Sequence, residues 1–310
     1  MQYKLLDEKK IVDGHILHRV YYCDGSLGGW IEGEKNLDQN SNARVSDDAC
    51  VYDEATVSDN ALVFGEATVS GNARVFERAR VSGYAFVSSE ACISGNACVS
   101  GNGCVLNRAI ISGNAHVYDN ANVYGDARVF GYARVYGKAI VSCDARVSGD
   151  AFVYGDARVY GDARVYGDTH IFDNARVFRN AHVSGNAHVF GYACIYDNAR
   201  VLGKSYVSGN AFVFGDARVS GNARVSGDAH VYGDEWKTSP LQIQGSKYFF
   251  TVSSKSHITI GCQTKTIDDW IKTYEGEFIE YGFTEAQQKE YKQYFNLASA
   301  LFGWGVQLPL

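Results

Sequence analysis

Hydrophobic and polar positions recur with a period of six residues along most of the chain. Stepping by six from Ala43 reaches Ala229 without an insertion or deletion, which gives 32 repeats. The first position is alanine except at Gly103, Thr169 and Ser205, and the third is always valine or isoleucine. The fifth and sixth positions are mostly Gly-Asn, Gly-Asp or Asp-Asn, so the consensus is Ala-x-Val-(Ser/Tyr/Phe)-Gly-(Asn/Asp).

This period predicts a solenoid of short strands. Residues two apart on a strand point to the same side, so alanine and valine point inward and the second and fourth positions point outward. Gly-Asn and Gly-Asp supply the positive φ that a sharp corner needs. Three repeats then close a triangular coil of 18 residues. We expect Val45, Val63 and Val81 to stack in one interior column, and no helix in residues 43–234.

The two ends of the chain break the repeat and predict caps for the open strand edges. We expect an N-terminal β cap at 1–42, with a hairpin formed by residues 11–17 and 19–22. A small α+β module is expected at 235–310, with strands at 241–244, 248–252 and 257–260. Its two helices are predicted to begin after Thr266 and Thr284, each with a capping box. The apolar face of the second helix is predicted from Phe295, Leu297, Leu301 and Phe302.

The alternation of a small residue with an aliphatic one resembles the left-handed parallel β-helix of the hexapeptide-repeat superfamily, best known from acyltransferases. The resemblance covers residues 43–234. The run Gly28-Gly-Trp-Ile-Glu32, followed by Asn36-Leu-Asp-Gln39, is similar to the N-terminus of uncharacterised hexapeptide-repeat proteins of phages and enterobacteria.

The resemblance implies one possible chemistry, acyl transfer. Such acyltransferases use a histidine as general base, between neighbouring subunits of a trimer and near an acyl-CoA or acyl-carrier arm. On this chain the implied residues are His116, His170 and His188, which occupy outward second positions. These enzymes usually carry a loop that protrudes from the coils and walls the donor site. The uninterrupted repeats contain no such loop, which argues against an enzyme.

Composition narrows the remaining classes of function. The formal net charge of −6 argues against a nucleic-acid partner. The polar first ten residues and the absence of a long apolar run predict neither secretory targeting nor a membrane span. Eight scattered cysteines indicate reduced thiols and a cytoplasmic location, in a bacterial host cell if the chain is phage-encoded. No cofactor is predicted.

The regular spacing of three cysteines suggests a set of metal ligands, but the coil register excludes a metal site formed by them. Cys92, Cys98 and Cys104 are six apart and therefore fall on three different faces, so they cannot bind one ion. The residue 18 beyond Cys98 is His116, and we expect that pair to be in contact. It lacks the further ligands of a zinc site and any orienting carboxylate. No metal site is predicted.

Residues 18 apart also form outward rows. One is aromatic and comprises Tyr118, Tyr136, Tyr154, Phe172 and Phe190. Aromatic side chains at strand spacing support one another. A continuous exposed row is equally suited to contact between copies of the chain, which predicts a dimer or trimer.

A second outward row is basic and comprises Arg128, Arg146, Arg164, His182, Arg200 and Arg218. Guanidinium groups at about 4.8 Å spacing repel unless they are neutralised, so the row predicts an anionic ligand such as a phosphorylated small molecule. The alternative is internal pairing, because Asp126, Asp144, Asp162 and Asp216 stand two residues before four of the arginines. The sequence therefore favours a rigid, non-enzymatic binding or scaffold protein, with a trimeric acyltransferase as the alternative.

Overall fold

The computed structural model describes residues 2–309, so the first residue of the predicted N-terminal cap and the last of the C-terminal module lie outside the described part. Contacts within the chain divide it into two compact units, Met1–Asn174 and Ala175–Leu310. Each unit contains part of the repeat and one terminal segment. The fold class predicted from the sequence is confirmed: the repeat forms a parallel β-solenoid with 18 residues per coil.

In the first unit the repeats form three parallel columns of two-residue strands, which we call face 1, face 2 and face 3. Face 1 comprises Arg44–Val45, Leu62–Val63, Arg80–Val81, Cys98–Val99, His116–Val117, Arg134–Val135, Phe152–Val153 and His170–Ile171. Face 2 comprises Cys50–Val51, Thr68–Val69, Phe86–Val87, Cys104–Val105, Asn122–Val123, Ile140–Val141 and Arg158–Val159. Face 3 comprises Thr56–Val57, Arg74–Val75, Cys92–Ile93, Ile110–Ile111, Arg128–Val129, Arg146–Val147 and Arg164–Val165.

The coils are held in register by backbone hydrogen bonds from each coil to the next. Arg128 N donates to Ala145 O at 2.9 Å, and Phe130 N donates to Val147 O at 3.0 Å. Val45 pairs with Val63, and Val63 with Val81, so the predicted interior column is confirmed. No helix lies within residues 43–234, all of which belong to the described part.

The corners use the left-handed backbone region at the fifth position of each repeat. Gly95 has a φ of 71°, and Cys143 adopts 59° where glycine is replaced. A Cβ added at Gly95 would lie 2.6 Å from Gly113 O in the next coil, so glycine also permits close stacking of these corners. The valines and isoleucines of the third position are buried and fill the interior.

The N-terminal segment is a three-stranded antiparallel extension of face 2. Strand Tyr3–Val12 pairs with His15–Tyr22 through a tight turn at Asp13-Gly14, where both residues have positive φ. Leu27–Ile31 pairs with His15–Tyr22 and then, in parallel, with the first strand of face 2. The predicted division of the hairpin into 11–17 and 19–22 is wrong, because the turn lies within the first of these segments. The first strand also begins eight residues earlier than predicted, because its polar residues lie on an exposed surface and weaken the alternation. The short helix Glu34–Asn36 follows.

The second unit contains the remaining coil strands in three columns. The first column comprises Arg176–Val177, Cys194–Ile195, Phe212–Phe214 and His230–Tyr232. The second comprises His182–Val183, Arg200–Val201, Arg218–Val219 and Glu235–Trp236, and the third comprises His188–Val189, Tyr206–Val207 and Arg224–Val225.

The C-terminal segment of this unit is an antiparallel sheet with two helices. Its strands are Gln242–Gln244, Phe249–Ser254, His257–Ile260 and Gln263–Thr266, of which the last was not predicted. Gln242 donates to Arg224 O and accepts from Ser226 N, each at 2.7 Å, so it takes the place of a further strand beside the last coil. This contact satisfies an edge that would otherwise be open.

The two helices begin where the sequence predicts. Helix α1 spans Ile267–Glu280 and is capped by Thr266, which accepts from Asp269 N. Its predicted capping box is incomplete, because the Asp269 carboxylate accepts from the Thr266 hydroxyl. Helix α2 spans Glu285–Phe302 with the complete capping box between Thr284 and Gln287. Neither helix is both long and apolar enough to cross a membrane.

The predicted apolar face of α2 is partly wrong. Phe295 is buried, but Leu297 and Leu301 are 46% and 62% exposed. The helix instead buries Tyr291, Phe295, Ala298 and Ser299, which follow one another at helical spacing.

A charged residue introduced at an interior position tests which residues of each coil point inward. Val159 has no exposed surface, whereas the preceding Arg158 side chain points outward. We expect Val159→Asp to destabilise the protein by about 4 kcal/mol or more, because it buries an unpaired carboxylate. Arg158→Asp is the matched control and should change stability by less than about 1 kcal/mol. Thermal melts followed by circular dichroism measure both, and equal losses would contradict the register.

Candidate functional site

The basic row of the first unit lies on three successive strands of face 3. Arg128 pairs in register with Arg146, and Arg146 with Arg164. All three side chains are exposed. We call these three residues, together with the outward Phe130, Ser148 and Tyr166 that directly follow these strands, the arginine face.

The guanidinium groups of the arginine face have no ion-pair, hydrogen-bond or aromatic partner within residues 2–309. The alternative of pairing with the preceding aspartates is wrong. Asp126 instead pairs with Arg108, the corner residue one coil earlier, at 2.6 Å. Asp216, in the second unit, accepts from the corner residue Asn198 at 3.1 Å. A corner carboxylate therefore bonds along its own corner column and does not reach the adjacent face.

Other arginines of the first unit show what satisfied guanidinium groups look like on this scaffold. Arg74, Arg80 and Arg134 lie over phenylalanine rings, 5.2 to 5.3 Å from the ring centroids. Arg19 and Arg44 form ion pairs with aspartates. The arginine face differs from both groups, because its charges are left to solvent.

The second unit carries the remaining predicted basic residues on neighbouring strands. His182 pairs in register with Arg200, and Arg200 with Arg218. Arg200 is exposed, whereas His182 and Arg218 are half-buried. The run of adjacent, fully exposed arginines therefore lies in the first unit.

The aromatic row forms a stacked ladder in the first unit. Ring centroids are 4.8 Å apart between Tyr118 and Tyr136, 4.9 Å between Tyr136 and Tyr154, and 5.0 Å between Tyr154 and Phe172. The rings are nearly parallel and half-buried, and burial raises the pKa values of the three tyrosines. Phe190, in the second unit, is half-buried as well. Mutual stacking accounts for most of this burial.

The histidines implied by the acyltransferase resemblance lie in differing surroundings. The pKa of His116 is lowered by partial burial and by the nearby charge of Arg134. The ring of His170 stacks on Phe152 at 4.7 Å, and that of His188 stacks on Tyr206 at 4.8 Å. Two of the three imidazoles thus belong to aromatic stacks.

The predicted separation of the cysteines is present. Cys92, Cys98 and Cys104 lie on face 3, face 1 and face 2 respectively, and Cys98 is the register partner of His116. Cys92, Cys98 and Cys104 form no disulfide with any residue that the structure describes.

A cluster that the sequence did not reveal joins the N-terminal segment to the first coils. His15 Nδ1 lies 3.0 Å from Glu32 Oε1, and His15 Nε2 lies 3.2 Å from Asp53 Oδ1. The ligand atoms of these three residues lie within 4.8 Å of one another, which is compatible with a metal site. The residues come from the start of one strand, the end of another and a coil corner, so no spacing pattern links them.

The hydrogen bonds of this cluster favour an ion-pair clamp over a metal site. Glu32 Oε2 accepts from Asp53 N at 2.8 Å, and Asp53 Oδ2 accepts from Gly71 N at 3.0 Å. All four carboxylate oxygens and both imidazole nitrogens therefore have protein partners. The hydrogen bond to Glu32 raises the pKa of His15, and the bond from His15 lowers the pKa of Glu32. The arrangement stabilises a protonated imidazole between two carboxylates.

The second unit contains concave features that the sequence did not indicate, and two of them lie beside ionisable or aromatic side chains. A cavity of about 60 Å³ lies in the C-terminal segment, lined by apolar residues that include Trp270, Phe278 and Phe283. A groove of about 300 Å³ lies between the last coils and that segment, lined by Phe212, His230 and Lys247 among others. Burial lowers the pKa of His230, which favours the neutral imidazole.

The fold that this geometry defines is a parallel β-solenoid with 18 residues per coil. A family model described as YdcK beta solenoid repeat matches residues 121–137, 157–171 and 217–233. Among solved structures, the chain is similar to a Francisella novicida UDP-N-acetylglucosamine acyltransferase. The match has 12% identity, covers 85% of this chain and 77% of that one, and has a TM-score of 0.22. No curated protein matches the chain.

The clamp predicts a pH dependence of stability. The pKa of His15 is raised in the folded protein, so its contribution is complete below pH 6.5, the ordinary pKa, and is lost as pH rises through the folded value. The melting temperature should therefore fall between pH 6 and pH 9, and His15→Ala should reduce that fall. Glu32→Gln, which removes the other partner, is expected to reduce it similarly. Identical pH profiles for the variants and the unmodified protein would contradict the clamp.

Contact between copies through the aromatic ladder stays a prediction and has a direct test. Tyr136, Tyr154 and Phe172 form the middle of the ladder, where a second copy would bury most surface. We expect the triple change of these residues to serine to lower the mass measured by light scattering while the circular dichroism spectrum is retained. Serine at the exposed Tyr84, Tyr124 and Tyr132 is the control. An unchanged mass for the ladder variant would leave stacking within the chain as the sole role of the row.

Proposed function

We propose that the protein is a rigid, non-enzymatic binding protein whose arginine face takes a compact anionic small molecule. The observation that carries the proposal is the set of three exposed arginines on adjacent coils without a partner in the described chain. Phosphate is the anion that such a group suits best, because guanidinium donors bind its oxygens in pairs.

The size of the ligand follows from the surroundings of the arginine face. Three adjacent strands span about 10 Å, since neighbouring strands lie about 4.8 Å apart. Exposed aspartates line the corners beside the face, among them Asp144, Asp150 and Asp162. Their charge opposes a long polyanion, whereas a compact one contacts the arginines alone.

The scaffold favours binding because its backbone is already ordered. Arg146 N donates to Ala163 O and Ser148 N to Val165 O, both at 2.9 Å, so the strand that bears the centre of the site is fixed on the next coil. Less conformational entropy is then lost when a ligand binds. Cysteines without a disulfide in the described chain, such as Cys92, Cys98 and Cys104, are consistent with a reducing compartment, and we place the protein in the cytoplasm.

A trimeric acyltransferase is the alternative, and one observation supports it. The C-terminal segment walls the groove beside His230, in place of the loop that the repeats lack. A neutral imidazole in a groove is suited to act as a general base. His230 is therefore a better candidate for that role than His116, His170 or His188.

The double variant Arg146→Ala/Arg164→Ala tests the proposed function. We expect it to lose binding of phosphorylated small molecules by tenfold or more, at nearly unchanged melting temperature, because exposed arginines without partners contribute little to stability. Lys138→Ala/Arg158→Ala removes the same charge from exposed positions outside face 3 and is the control. Isothermal titration with inorganic phosphate and nucleotides measures the affinities. Equal affinities for the two double variants would contradict the proposal.

Acetyl-CoA in the same titrations distinguishes the acyltransferase alternative from the proposed binding function. Binding that is lost in Arg146→Ala/Arg164→Ala belongs to the arginine face. Acyl transfer to an amine or alcohol that is lost in His230→Ala and retained in the arginine variant would favour the acyltransferase.

A further inference from the structure

We propose that Ser148 interrupts a column of aromatic side chains on the arginine face, and that a planar aromatic ring of the ligand stacks at this position. We call the space at Ser148, between Phe130 and Tyr166, the ring slot. The ligand is then a molecule that joins a planar ring to a phosphate, as a nucleoside monophosphate does. This inference rests on the proposed function and names its substrate class.

The aromatic ladder of face 1 shows how rings are spaced on this scaffold. Each coil contributes one ring at the fourth position, with centroids 4.8 to 5.0 Å apart and planes within 3 to 4° of parallel. The spacing follows from the hydrogen-bonded distance between strands, so it applies to every face.

On face 3 the equivalent column is interrupted. Phe130 and Tyr166 occupy the fourth positions two coils apart, and Ser148 occupies the coil between them. Twice the coil spacing places the two aromatic positions about 10 Å apart. A ring held in register with Ser148 would lie at the ladder's own spacing from both neighbours. Stacking of that kind favours binding of any planar base, since every base has a π-face.

The exposure of these residues shows that the space is open. Phe130 is 39% and Tyr166 is 43% exposed, and Ser148 is itself partly exposed. Face 2 provides a contrast, because Tyr124, Ser142 and Tyr160 repeat the same order of residues. Ser142 is only 5% exposed, so the space above it is already covered. The ring slot is therefore accessible to solvent, on the face that also carries the three arginines without a partner in the described chain.

The ring slot and the arginines are close enough for one ligand to contact both. Arg146 and Ser148 stand on either side of Val147 and both point outward, so their Cα atoms lie about 6.6 Å apart. This distance is comparable with that between the base and the phosphate across a ribose. Arg128 and Arg164 lie one coil to either side and provide further donors to the same phosphate.

The decisive experiment fills the ring slot with a protein side chain and leaves the three arginines unchanged. Ser148→Phe completes the column, while Ser112→Phe adds a ring on the same face at the next coil beyond Phe130 and serves as the control. Isothermal titration uses AMP, GMP, CMP, UMP and inorganic phosphate. We expect the unmodified protein and Ser112→Phe to bind at least one nucleotide about tenfold or more tightly than phosphate. Ser148→Phe should lower that affinity to the level of phosphate and leave phosphate binding unchanged.

The outcomes separate this inference from the proposed function. The ring slot is contradicted if Ser148→Phe binds nucleotides as tightly as the unmodified protein, or if no nucleotide is preferred over phosphate. Either result leaves the proposed anion site uncontradicted. If the unmodified protein binds none of the five compounds, both are wrong. A melting curve checks that Ser148→Phe folds. Should it fail to fold, Phe130→Ser/Tyr166→Ser removes the walls of the slot and must produce the same selective loss of nucleotide affinity.

Discussion

Hydrogen bonding between successive coils is the constraint on which the other features of this protein depend. A coil of 18 residues places the backbone N–H groups of the outward-facing positions opposite carbonyls of the next coil, as Arg146 N lies opposite Ala163 O. An insertion within a strand would shift this register and expose interior valines. The interior is consequently restricted to small and β-branched residues, and the corners to residues that tolerate a positive φ. Chemical variety is confined to the outward positions, where each face is a row of side chains at fixed intervals.

Regularity explains why much of the fold could be predicted from the sequence. Because the period has no interruption, the column of Val45, Val63 and Val81 and the separation of Cys92 from Cys98 follow from counting alone. The pairing of Asp126 could not be obtained in this way. Asp126 is two residues from Arg128 in sequence and one coil from Arg108, and its carboxylate pairs with Arg108.

Non-repeating parts of the chain were predicted less completely. The His15 clamp joins three elements that are distant in sequence, so it depends on how the N-terminal segment packs on the first coils. Leu297 and Leu301 fit an apolar pattern but lie on the exposed side of α2, because Tyr291 and Phe295 determine which side of that helix is buried. Residue type predicted the presence of α2, whereas tertiary packing fixed its orientation.

The account of function rests on charges that the described chain leaves unpaired. The most direct test is native mass spectrometry of protein purified from its host at low ionic strength, with Arg146→Ala/Arg164→Ala as the comparison. The account predicts a bound small molecule of fixed mass that contains phosphate and is absent from the variant. A spectrum of unliganded protein for both samples, or the same adduct on both, would contradict a ligand site on the arginine face.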